Sequence, residues 1–153
     1  MIPTTVARVP LHTAESVNEQ IRRQGEENVA LYCAEGREGI EKRLAELDAE
    51  WDIERTLEAN AASAVLVSVL LGVTVHRTFF VLPAIIGGFL LQHAIQGWCP
   101  PIPVFRRLGF RTEAEIDRER YALKALRGDF KRIRNQDKPS TKTVHRAMAA
   151  VNQ

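Results

Sequence analysis

The sequence predicts an all-α fold, a two-span transmembrane helical hairpin flanked by cytoplasmic amphipathic helices. Three observations predict it. Residues 59–104 contain a single Lys, Arg, Asp or Glu, Arg77, although the whole chain is 26% charged. The remaining charges are polarised: residues 1–58 carry 13 acids and 7 bases, a balance of −6, and residues 104–153 carry 6 acids and 13 bases, a balance of +7. No segment reads as a strand. A soluble domain mixes its charges along the chain; here an uncharged middle separates an acidic arm from a basic one. The 153 residues therefore divide into an amino-terminal arm (1–56), a hairpin (57–104) and a basic carboxy-terminal helix and tail (105–153).

In chain order, Met1–Leu11 holds two prolines and reads as extended, and residues 1–30 lack the pattern of a cleavable signal peptide. Ser16 and Glu19 have capping-box spacing at the start of a helix running toward Tyr32, with Gly25 as its weak point. After Gly36 and Gly39, a second helix carries Ile40, Leu44, Leu47 and Trp51 on one stripe, supported by a Glu38–Lys42 pair. No breaker separates this helix from the apolar segment 57–75. His76 and Arg77 make a tight polar break. Thr78–Trp98 then supplies a second apolar segment of about 31 Å, enough for a full crossing. Pro83 falls in its first two turns and is expected to kink it. Cys99-Pro100-Pro101-Ile102-Pro103 is expected to stop any helix. Thr112 and Glu115 form a second capping box. The helix it opens has Ile116, Leu123, Leu126, Phe130 and Ile133 on a rough stripe among Arg118, Lys124, Arg127, Lys131, Arg132 and Arg134, a pattern suited to anionic headgroups. From Asn135 onward, with Pro139, the chain reads as loose.

A soluble protein would have to bury the central hairpin. The flanking stripes are one residue wide per turn and do not cover two helices that are apolar all round. Membrane insertion follows. Lys42, Arg43 and Arg55 lie before the first span, and Arg106, Arg107, Arg111, Arg118 and Arg120 follow the second, against Arg77 alone between them. Both termini are thus expected on the cytoplasmic side, with Trp98, Arg106 and Arg107 at the membrane interface.

The middle has an order of features that can be compared with known sequences. Ile53-Glu54-Arg55 precedes a small-residue apolar helix ending in Leu71-Gly72; a polar break and a second apolar helix lead to Gly97-Trp98-Cys99-Pro100 and Arg106-Arg107-Leu108-Gly109. Over residues 53–109 this resembles the YgaP-like transmembrane domain family, a bacterial inner-membrane hairpin of unknown function whose signature is a Gly-aromatic-Cys-Pro turn. The resemblance implies a two-span inner-membrane domain that tends to dimerise. Some members carry a fused rhodanese. Cys33, in Tyr32-Cys33-Ala34-Glu35-Gly36-Arg37, echoes a rhodanese loop, but the residues before it read as helix rather than as alternating strands and helices.

The candidate functional residues are Cys99, His93, Gln92 and Gln96. Cys99 suits sulfur chemistry only with a nearby base or a depressed pKa. Gln92, His93 and Gln96 are polar groups inside a span, where such groups face other helices or a cavity. Ala84, Gly87 and Gly88 are small residues of the kind that let another helix approach closely. His12, His76 and His145 are scattered, so no metal spacing exists, and no nucleophile–base pattern or phosphate loop is present. The expectation is a non-enzymatic structural or accessory membrane subunit without cofactors. Its partners would be the lipid bilayer, a second copy and other membrane subunits, rather than nucleic acid. The alternative is a sulfur- or small-anion-handling membrane protein using Cys99 and the polar face of the second span.

Overall fold

The structure, a computed structural model, describes residues 3–131, 133 and 141–151. Arg132, Arg134 and residues 135–140, with Pro139, lie outside the described residues. The fold is all-helical among the described residues: α1 (Glu15–Ala34), α2 (Gly36–Ala49), α3 (Ile53–Thr74), α4 (Val81–Gln96), α5 (Ile102–Arg107), α6 (Glu113–Arg127) and α7 (Thr141–Val151). Contacts group these into two compact units, residues 1–23 with 51–115, and residues 24–50 with 116–153. The first unit draws residues from all three segments read in the sequence, and the second from the amino-terminal arm and the carboxy-terminal segment.

In the first unit, the amino-terminal stretch expected to be extended makes turns and a 3-10 helix, Pro10–His12. Proline fits the first position of such a turn, because its φ is preset and its missing N–H would have no partner there. α1 begins at Glu15, so Ser16 lies inside the helix and Glu19 pairs with Arg22 instead of capping. The helix runs through Gly25 without interruption.

The chain does break before the first apolar helix, contrary to the sequence reading. Asp52 caps α3 by accepting from the Arg55 N–H at 2.8 Å, and the Ile53 N–H donates to the Arg111 carbonyl at 2.8 Å. An acidic cap satisfies orphan amides that an uninterrupted helix would not expose. The 22 residues of α3 span about 33 Å. Its end is closed by the Val75 and His76 N–H groups on the Leu71 carbonyl. A 3-10 turn, Arg77–Phe80, follows. A Cβ at Gly72 would lie 2.9 Å from the Phe80 ring, so the missing side chain lets that ring fold onto α3. α4 has 16 residues and Pro83 in its first turn, where the missing N–H costs no helical bond. With the 3-10 turn it spans about 32 Å.

α3 and α4 pack against each other in opposite directions. Phe80 meets Gly72 at one end, and Glu54 meets His93 at the other. Their remaining surface is open. Leu66, Leu70 and Val73 of α3 are 66%, 64% and 74% exposed, and only 6% of the second apolar stretch is buried. A soluble core helix would show the reverse; a lipid-facing one shows this.

The core of this unit lies at the end of the pair where the chain enters and leaves. Val9, Ile53, Leu57, Cys99 and Ile102 are buried together, with Phe89, Leu90, Phe105 and Phe110 against them. The proline run does not stop helix formation as expected. Pro101 is the N-cap of α5 and Pro103 sits in its first turn, positions that tolerate proline.

In the second unit, Ile40, Leu44 and Leu47 of α2 pack with Ile116 and Leu123 of α6, flanked by Val29 and Tyr32. Trp51 leaves this stripe: it lies beyond α2, 46% exposed, with the Arg55 guanidinium 4.2 Å over its ring. The expected Glu38–Lys42 pairing gives way to Arg37–Glu41 at 2.9 Å. The basic face of α6 is largely spent internally. Arg120 bonds Asp117, Asp48 and the Leu47 carbonyl, and Arg127 bonds Asp129. The helix stops at Arg127, so Phe130 and Ile133 fall outside it. The tail expected to be loose contains α7, with Ala150 buried and the Val151 carbonyl accepting from Lys124 Nζ at 2.6 Å. A lysine on a terminal carbonyl complements the negative end of the helix.

Candidate functional site

Two polar clusters sit at the buried end of the apolar pair. The first joins three segments distant in sequence. Glu54, in the first turn of α3, accepts from Arg8 at 2.9 Å through one oxygen and contacts His93 Nε2 at 2.6 Å through the other. Arg8 also donates to the Ala94 carbonyl at 3.2 Å. His93 is buried, and its Nδ1 has no hydrogen-bond partner. An unpartnered ring nitrogen is less costly to bury as a lone pair than as an N–H, so the geometry puts the ring proton on Nε2, donating to Glu54. Gly97 ends α4 with φ +80°, and a Cβ there would meet the Arg8 carbonyl oxygen at 2.4 Å. Glycine here serves both the left-handed backbone and the close passage of the amino-terminal segment.

The second cluster centres on Arg106, whose side chain is fully buried. Its two terminal nitrogens hold Glu115 in a bidentate pair at 2.6 and 2.7 Å. It also donates to the Phe110 carbonyl, Asn18 Oδ1 and Thr13 Oγ1. The capping box read at Thr112 and Glu115 is formed: the Thr112 N–H donates to Glu115 at 2.8 Å and the Glu115 N–H to Thr112 Oγ1 at 3.3 Å. Burial works to raise the Glu115 carboxyl, but Arg106 and the Thr112 amide hold it below the ordinary carboxylate value. Arg106 thus cannot meet headgroups as expected, because every direction its fork points is already occupied by protein. Arg107 beside it is exposed.

The other predicted site residues do not converge. Gln92 is half-buried and Gln96 exposed. Ala84, Gly87 and Gly88 face outward, with nothing within 4 Å of a Cβ at either glycine. They do not serve packing between α3 and α4. Trp98 is half-buried, its ring edge-on to Phe89 at 6.2 Å. Cys99 is 4% exposed within the apolar core, and burial pushes its thiol up, away from the reactive thiolate. Cys33 is exposed. Sequence reasoning missed Arg8, Glu54 and Asn18. Glu54 and Arg8 are separated by 46 residues, and no local pattern marks such a pair.

The site is framed by a capped apolar helix, a tight return, a left-handed glycine before Trp98-Cys99-Pro100, and a buried Arg106 closing on Glu115. Residues 52–115 match the family model described as inner membrane protein YgaP-like, transmembrane domain. No curated protein matches the chain, and no solved structure matches it. The matched region opens at the cap residue of α3 and closes at the carboxylate that holds Arg106. It therefore extends past the residues 53–109 on which the resemblance rested, taking in the whole Arg106–Glu115 pair. Arg8, Thr13 and Asn18 lie outside it, so both polar clusters pin this chain's own amino-terminal segment onto the matched region.

Proposed function

We propose that the chain is an inner-membrane protein with both termini in the cytoplasm, acting without catalysis of its own as an anchoring and assembly subunit, as a homodimer or within a larger complex. One observation carries this reading. The outward face of α4 bears Ala84, Gly87 and Gly88, open to a second backbone, and continues into Gln92 and Gln96, whose carboxamides are costly to leave alone near hydrocarbon. α3 does not cover that face. A second copy of α4 satisfies both needs. The buried, raised thiol of Cys99 lends no support to the sulfur-handling alternative. The test is cross-linking of an Ala84→Cys variant in native membranes, alongside its Gly88→Leu derivative. A dimer band that the leucine abolishes supports the reading, and a band unaffected by it, or none, overturns the α4 interface. Labelling of Arg77→Cys by an impermeant thiol reagent in intact cells checks the topology, and labelling only after lysis reverses it.

A further inference from the structure

The segments that pack at the base of the helix pair expose large apolar side chains outside the spans. In α5, Ile102, Phe105 and Arg106 turn inward, which leaves Val104, Arg107 and Leu108 together on the opposite face at i, i+3 and i+4 spacing. Val104 is 55% exposed and Leu108 is 70% exposed. The amino-terminal segment repeats the feature independently: Val9 is buried while Val6 and Leu11 are 60% and 67% exposed. Soluble surfaces carry single apolar residues without consequence, but here the depth of both segments is fixed. Ile102 packs on Ile53 and Leu57 at the start of α3, and Arg8 is bonded to Ala94 and Glu54 where α4 ends and α3 begins. Both segments therefore lie level with the point at which the apolar helices enter and leave the hydrocarbon. A surface held at that level meets the headgroup and upper acyl region, where aliphatic side chains insert and an exposed guanidinium finds phosphate.

We propose that α5 and residues 4–11 form an interfacial collar around the base of the helix pair, seated in an anionic phospholipid surface by Val104, Leu108, Val6 and Leu11, with Arg107 on the lipid phosphates. The collar rests on the membrane-spanning reading above. It assigns the lipid contact to the outward face of α5, because Arg106 is consumed by Glu115.

The experiment uses the full chain with Cys33→Ser and Cys99→Ala, reconstituted in phosphatidylcholine vesicles with or without phosphatidylglycerol. Spin labels are attached at cysteines replacing Leu70, Val104, Leu108 or Glu41. Relaxation by oxygen is compared with relaxation by a water-soluble nickel chelate. Labels at 104 and 108 are expected to favour oxygen, as at 70, while the label at 41 favours the chelate. A chelate-favouring result at 104 and 108 with an oxygen-favouring result at 70 overturns the collar and leaves the spans standing. A chelate-favouring result at 70 overturns the membrane reading itself. Arg107→Glu should move the 108 label toward water only when phosphatidylglycerol is present; an equal shift in both vesicles removes the anionic lipid from the proposal.

Discussion

Replacing Glu115 by Ala isolates the Arg106 cluster. The guanidinium has no exposed surface, and Glu115 takes both of its terminal nitrogens. Without the carboxylate, a positive charge remains buried with only the Phe110 carbonyl, Asn18 and Thr13 as partners. Breaking such a pair from one side costs about 3–5 kcal/mol. Glu115 also closes the cap of α6, worth about 1 kcal/mol. Thr112→Ala removes the cap hydroxyl but leaves the ion pair, so it should cost about 1 kcal/mol alone. The assay is unfolding of detergent-solubilised protein by titration with SDS, followed by far-UV circular dichroism. Glu115→Ala should fall well below Thr112→Ala in stability. The double variant Arg106→Met, Glu115→Leu should recover the ion-pair part of the loss, because two apolar side chains leave no buried charge, while the Thr112 N–H still lacks its acceptor and the cap cost of about 1 kcal/mol stays. A Glu115→Ala variant as stable as Thr112→Ala would falsify the cost assigned to leaving Arg106 buried without its carboxylate.

Other outcomes follow from the same geometry. The folded Glu115 carboxyl lies below its ordinary value of 4.5, so its stabilisation is complete above that pH and is lost as pH falls through the lower folded value. The Arg106→Met, Glu115→Leu chain should lack this part of the acid sensitivity in the same titration. Gly97→Ala should destabilise by about 1–3 kcal/mol, since φ +80° is unfavourable for alanine and the Cβ collides with the Arg8 backbone; tryptic cleavage after Arg8 should accelerate, and an unchanged rate would count against the close passage. Cys33 should react with a thiol reagent in the folded protein while Cys99 reacts only on unfolding; equal rates would contradict the packing around Cys99.

The apolar helices were legible because burial in lipid demands length and an absence of charge, both one-dimensional properties. The capping box at Thr112 and Glu115 was legible for the same reason, being a spacing of three residues. Errors arose where one residue type serves opposite ends of a helix. Pro101 and Pro103 were read as terminators, yet they open α5. Asp52 was passed over inside an apparently continuous helix, although aspartate before an apolar run is also a start signal. α7 was missed because its polar approach masked a short Ala-rich segment. Arg106 was placed at the interface from its position after a span; its real environment depends on Asn18 and Thr13, some ninety residues upstream. His93 was singled out correctly as a costly polar group, but the partner that satisfies it, Glu54, could not be named from periodicity.

The hydroxyls of α3 bear on biogenesis. Thr56, Ser63, Ser68 and Thr74 each donate to the carbonyl four residues back, and Asn60 does the same through its amide. In a nascent α3 these four hydroxyls and the Asn60 amide are satisfied by the local backbone, so they need no second helix for entry into lipid. α4 emerges later with His93, whose partner lies on α3. The order of synthesis thus matches the order of need: Arg8 and Glu54 precede His93 in the chain, so the carboxylate that His93 meets on α3 is already made when α4 follows.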